Sequence, residues 1–79
     1  MKYEDMNPNQ IGANIRELRT KNGETSEELA KAINASTSAI GMYENGYRIP
    51  RDEIKIRIAE HYRVPVESIF FRTKQHETC

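Results

Sequence analysis

The chain has 79 residues, 37% hydrophobic and 30% charged, with twelve basic residues balancing twelve acidic ones. That is room for one small domain burying about 60% of its unfolded surface, and the neutral balance gives no general attraction to a polyanion. The longest purely apolar run is Ile69-Phe70-Phe71 and the start, MKYEDMNPNQ, has no apolar signal core, so no membrane span is expected and a cytoplasmic location follows by default.

Asn7-Pro8-Asn9-Gln10 opens a first helix: Asn7 can cap it, Pro8 suits its first position, and Gln10 stands where a capping box places Glu or Gln. Ile11, Ile15 and Leu18 then fall on one buried stripe, and Gly23 marks the stop. Thr25-Ser26-Glu27-Glu28 is a second capping box, followed by Leu29, Ala30 and Ile33 on the inner face of a second helix. Asn34 tolerates left-handed backbone and Ser36 can cap a third helix that stops at Gly46. Two capped helices joined by Asn34-Ala35-Ser36 make a helix-turn-helix, the most specific local signal in the chain.

Ile54-Lys55-Ile56-Arg57-Ile58 alternates like a strand, yet Pro50, the acidic Asp52 and Glu53, and the spacing of Ile54, Ile58 and Tyr62 favour a fourth helix. Lys55 then falls awkwardly inside its apolar sector. A short fifth helix is predicted from Pro65 through Phe70, while residues 1–6 and 72–79 read as frayed ends. The expected architecture is an all-α bundle of five helices with no strand.

Charge is patchy along this framework. Arg16, Arg19 and Lys21 outweigh Glu17 in the first helix, three glutamates outweigh Lys31 in the second, and Arg48, Arg51, Lys55 and Arg57 outweigh Asp52 and Glu53 beyond the third. The third helix holds no basic residue, and its one charge is Glu44. On a wheel of about 100° per residue, Ala39, Ile40 and Tyr43 share one face and Thr37, Ser38, Gly41, Met42 and Asn45 the other. Such a face can read base edges without charge, through hydroxyls and an apolar contact to a thymine methyl. Gly41 suits either close approach of backbone to a groove floor or simple tolerance of a costly residue. Met42 suits either a base contact or a protein partner.

The segments "IRELRTKNG", "TSEELAKAINASTSAIGMYENGYRIP" and "IAEHYRVPVESIFF" resemble the Cro/C1-type (XRE) helix-turn-helix family, over about three quarters of the chain. The resemblance implies a lambda-repressor-like DNA-binding domain at residues 9–71, between an arm at 1–8 and a tail at 72–79. It implies a transcriptional regulator, more often a repressor, bound to double-stranded DNA as a homodimer on an inverted repeat. Carried over by position, Thr37, Ser38 and Met42 stand where the family reads bases, and Ser26, Ser36, Asn45 and Arg48 stand at or beside backbone-contacting positions. Arg51 adds a further flanking cation for phosphates. Arg19 and Glu44 match a buried ion pair. Glu24 replaces a usual apolar residue, Ser26 a usual glutamine, and Asp52 and Lys55 occupy places often held by leucine.

Ile69, Phe70 and Phe71 crowd a small core, so part of this cluster is expected at the dimer interface, the rest closing the core. His61 and His76 have no cysteine or paired carboxylate at ligand spacing, so no metal or other cofactor is expected. No nucleophile elbow or phosphate loop appears, which argues against an enzyme. Cys79 is a lone thiol without an internal partner. A different class remains open: a protein-interaction module of antitoxin or antirepressor type on the same fold.

Overall fold

The structure is a computed structural model and describes residues 3–73. His76 and Cys79, with the rest of residues 74–79 and residues 1–2, lie outside that range. In chain order the elements are β1 (Tyr3–Asp5), α1 (Pro8–Lys21), α2 (Ser26–Ala32), α3 (Thr37–Glu44), α4 (Asp52–Tyr62), α5 (Val66–Phe70) and β2 (Phe71–Thr73).

Helix boundaries follow their caps. The Asn7 side chain accepts from the Gln10 amide at 2.8 Å, but the Gln10 side chain donates to Asn14 at 3.0 Å instead of returning to the cap. The box on α2 is complete, with Glu28 N–H donating to Thr25 Oγ1 at 3.0 Å and Thr25 N–H to Glu28 Oε1 at 2.8 Å. Asn34 takes φ 58°, the left-handed turn expected of it, and the Ser36 hydroxyl accepts from Ala39 N–H at 3.0 Å to start α3. The α2–α3 turn is thereby held from both sides. Gly46, at φ +79°, ends α3 where a side chain would be strained.

The core gathers Ile11 and Ile15 from α1, Leu29 from α2, Ile40 and Tyr43 from α3, Ile58 from α4, and Ile69 and Phe70 from α5. The alternating isoleucines of α4 are therefore helical: Ile54 and Ile58 are buried, while Ile56 is 52% exposed. Lys55 is buried in the apolar sector. Its ammonium lies 4.9 Å from the Phe71 ring centroid and 3.8 Å from the Asp52 carboxylate, a cation–π and ion-pair arrangement that lets the stem stay covered.

One expectation fails. The ends are not both frayed and the chain is not strand-free, because β1 pairs antiparallel with β2, Glu4 opposite Arg72 and Asp5 opposite Phe71. The Met6 amide extends the link to the Phe70 carbonyl at 2.9 Å, and Arg72 Nε donates to Glu4 at 2.8 Å. Three-residue strands carry too little alternation to read, and their pairing spans the whole domain. The cluster of Ile69, Phe70 and Phe71, expected to divide between dimer interface and core, leaves one residue of the three for an interface. Ile69 and Phe70 are 1% and 0% exposed within the single chain, since α5 turns both inward against α1 and α4, and only Phe71 keeps surface to offer.

Candidate nucleic-acid interface

The α2–α3 turn sets which face of α3 points outward. Ile40 and Tyr43 anchor it in the core, so Thr37, Ser38, Met42 and Asn45 are left exposed on the opposite side. Gly41 lies between them, and a Cβ built there meets nothing within 4 Å. No packing demand within the domain accounts for this glycine. Its effect is to lower the middle of the outward surface.

Glu44 explains why that surface is neutral. Its carboxylate turns inward, with its side chain 3% exposed, and takes a two-point grip from Arg19: Nε to Oε2 at 2.5 Å and Nη2 to Oε1 at 3.0 Å. Arg16 Nε approaches the same carboxylate at 3.4 Å, and its Nη2 reaches Asn45 Oδ1 at 3.4 Å. Two guanidiniums thus offset the one anion of α3. The hydrogen bonding of Arg19 to the Glu44 carboxylate is the main cause that holds the Arg19 guanidinium pKa above its ordinary value, against the opposing effect of burial. The pair joins α1 to the end of α3.

The same cluster continues to α4. Arg19 Nη1 donates to the Glu24 carbonyl at 2.8 Å, while the Glu24 carboxylate accepts the Tyr62 hydroxyl at 2.6 Å and lies 2.5 Å from His61 Nε2. Glu24, placed where an apolar residue is usual, is therefore a satisfied acceptor and not a surface repulsion next to the turn. Burial first, and the bond to Glu24 second, raise the Tyr62 phenol well above its ordinary value, so it stays a donor.

The flanking cations sit beyond α3. Arg48 and Arg51 are exposed and share with Asn34, Ser36 and Ala39 a polar groove of about 350 Å³. Arg48 Nη1 rests 4.0 Å from Met42 Sδ, over the outward face of α3. The Ser36 hydroxyl is already engaged as a cap, which leaves Arg48 and Arg51 as the charged members of this groove. Ser26 is half-buried at the first position of α2, and Glu27 and Glu28 share its turn. Thr37, Ser38, Met42, Ser36, Asn45, Arg48 and Arg51 are thus brought together around one helix; Ser26 stands apart in a locally acidic setting.

Sequence reasoning missed Gly12, whose Cβ would lie 2.5 Å from the carbonyl oxygens of both Tyr43 and Glu44. It also missed Arg16 as a second partner of Glu44, and Tyr47, which is 82% exposed just past Gly46. A glycine inside a predicted helix was the available signal for the first. The others had none.

The fold recurs in solved structures. The restriction-modification controller protein C.AhdI from Aeromonas hydrophila is 27% identical with a TM-score of 0.74, the match covering 78% of this chain and 94% of that one. The S. venezulae BldD DNA-binding domain is 28% identical with a TM-score of 0.69, covering 81% and 96%. An SOS-response transcriptional repressor, LexA, from Eubacterium rectale shares the fold at a TM-score of 0.79 and 19% identity, covering 92% and 78%. No curated protein sequence matches the chain. Residues 15–69, more than half of the chain, match the helix-turn-helix family model HTH_3, and the chain belongs to the Cro/C1-type (XRE) helix-turn-helix family.

Proposed function

We propose that the chain is a sequence-specific DNA-binding transcriptional regulator that acts as a homodimeric repressor on an inverted-repeat operator. The observation that carries this reading is the outward face of α3: small, uncharged, lowered at Gly41, and flanked by Arg48 and Arg51. In this reading Thr37 and Ser38 hydrogen-bond base edges and Met42 meets an apolar base surface. Arg48 and Arg51 hold phosphates, which position the helix without specifying sequence. The similarity to the C.AhdI controller protein and the BldD DNA-binding domain supports it.

The proposed dimer surface moves to the faces of α4, α5 and β2. There Ile56, Val66 and Phe71 line an apolar groove of about 250 Å³ bordered by Asp52 and Lys55. In a symmetric dimer the same patch faces itself across the two-fold axis, and the internal Lys55–Asp52 pair leaves this one without an uncompensated charge to repel its copy. The test is selection of duplexes from a randomised pool by the chain. An enriched inverted repeat with half-sites about 34–36 Å apart, one helical turn, is the expected result. Enrichment of a single unrepeated half-site would remove the dimer, and no enrichment at all would remove the reading.

A further inference from the structure

We propose that Tyr47 is a DNA-positioning residue, its ring lying against a deoxyribose and its hydroxyl donating to a backbone phosphate beyond the C-terminal end of α3. This rests on the reading of α3 above and adds a contact that is not ionic.

Four large hydrophobic residues are notably exposed among the described residues: Met42 at 41%, Tyr47 at 82%, Ile49 at 42% and Ile56 at 52%. Three of them fall within residues 42–49. Single exposed apolar side chains are ordinary, but a cluster beside one functional helix marks a contact surface. The exposure is built into the turn. Gly46 takes φ +79° with its N–H on the Tyr43 carbonyl at 3.2 Å, and the Tyr47 N–H donates to the Met42 carbonyl at 2.9 Å. That pinned backbone places Tyr47 outward, next to Arg48, whose guanidinium already lies against Met42.

The charge around the patch chooses the occupant. Arg48 lies inside it, Arg51 flanks it, and Arg16 reaches Asn45 at the adjoining helix end, while the carboxylate of α3, Glu44, is turned inward and paired. A polyanion with apolar sugar faces fits an aromatic ring set among arginines. Tyrosine hydroxyls are ordinary phosphate donors, and the ring supplies contact area with few rotors to immobilise.

The salt dependence separates this contact from its neighbours. Losing an arginine–phosphate contact lowers the slope of log affinity against log salt by about one, whereas a neutral phenol displaces no counterion. Binding of a mixed-sequence duplex is measured at two salt concentrations for the parent, Tyr47→Phe, Tyr47→Ala and Arg48→Ala. Tyr47→Phe is expected to bind about tenfold more weakly with the parent's slope, the effect of one hydrogen bond to a charged acceptor. Tyr47→Ala loses more, again at unchanged slope, and both melt with the parent because the residue is 82% exposed. In parallel, tetranitromethane nitrates Tyr47 in the free protein, and the duplex suppresses it.

If both Tyr47 variants bind like the parent while Arg48→Ala flattens the slope, the Tyr47 contact is wrong and the reading of α3 survives. If the parent retains no duplex, or all three variants are silent, both fall. Suppressed nitration with unchanged affinity also overturns the proposal, since the ring would then be merely covered.

Discussion

Replacing Glu44 with alanine is expected to destabilise the domain by about 3 kcal/mol, the lower end of the range for breaking a buried ion pair by removing one partner. The carboxylate is 3% exposed and Arg19 only 15%, so truncation leaves a guanidinium in a site built for its counter-ion, with Arg16 also deprived of its partner. In a domain of this size each kcal/mol moves the melting temperature by about 4–8 °C, which makes the expected fall about 12–24 °C. Glu44→Gln retains an oxygen acceptor and should fall between the two. A Glu44→Ala melt within a degree or two of the parent would show that the pair contributes nothing to the fold.

Two glycine-to-alanine changes should move stability in opposite directions. At Gly12 the added methyl meets the backbone carbonyl oxygens of Tyr43 and Glu44 at 2.5 Å, and no rotamer change can clear backbone atoms. Helices α1 and α3 must separate. Overpacking of this kind reaches about 3 kcal/mol, and the better helix propensity of alanine returns about 1, so a net loss near 2 is predicted. At Gly41 a methyl enters open space, and the same propensity gain of about 0.5–1 kcal/mol stands unopposed. Thermal melts of the two variants check both signs at once. Equal shifts would mean that the α1–α3 contact is looser than the structure has it. The Gly41 variant, more stable yet weaker on DNA, would further identify the glycine as a place of close backbone approach.

What could be read before the structure was local. The caps at Asn7, Thr25 and Ser36 and the left-handed Asn34 depend on a few adjacent residues, and these were legible. The outward set on α3 followed from helical period once Ile40 and Tyr43 were recognised as apolar anchors. The pairing of Arg19 with Glu44 came from family resemblance, because nothing in the spacing of two residues on different helices predicts it. Glu24 looked out of place for the same reason, its partners Tyr62 and His61 lying on α4, thirty-eight and thirty-seven residues away. The strand pairing of residues 3–5 with 71–73 and the burial of Ile69 and Phe70 are likewise long-range outcomes. Composition shows that a core is small, but not which of three adjacent apolar residues will fill it.

The account stands on α3 reading bases while its neighbours hold the backbone, and those two roles must fail differently. Competitive binding of Ser38→Ala and Arg48→Ala to a randomised duplex library at two salt concentrations separates them. Ser38→Ala is predicted to lose about 1–3 kcal/mol on the parent's preferred sequence and to relax preference at one base step. Arg48→Ala is predicted to weaken all sequences alike and to reduce the salt slope by about one. Both variants indistinguishable from the parent would contradict the account and give the surface around α3 to a protein partner.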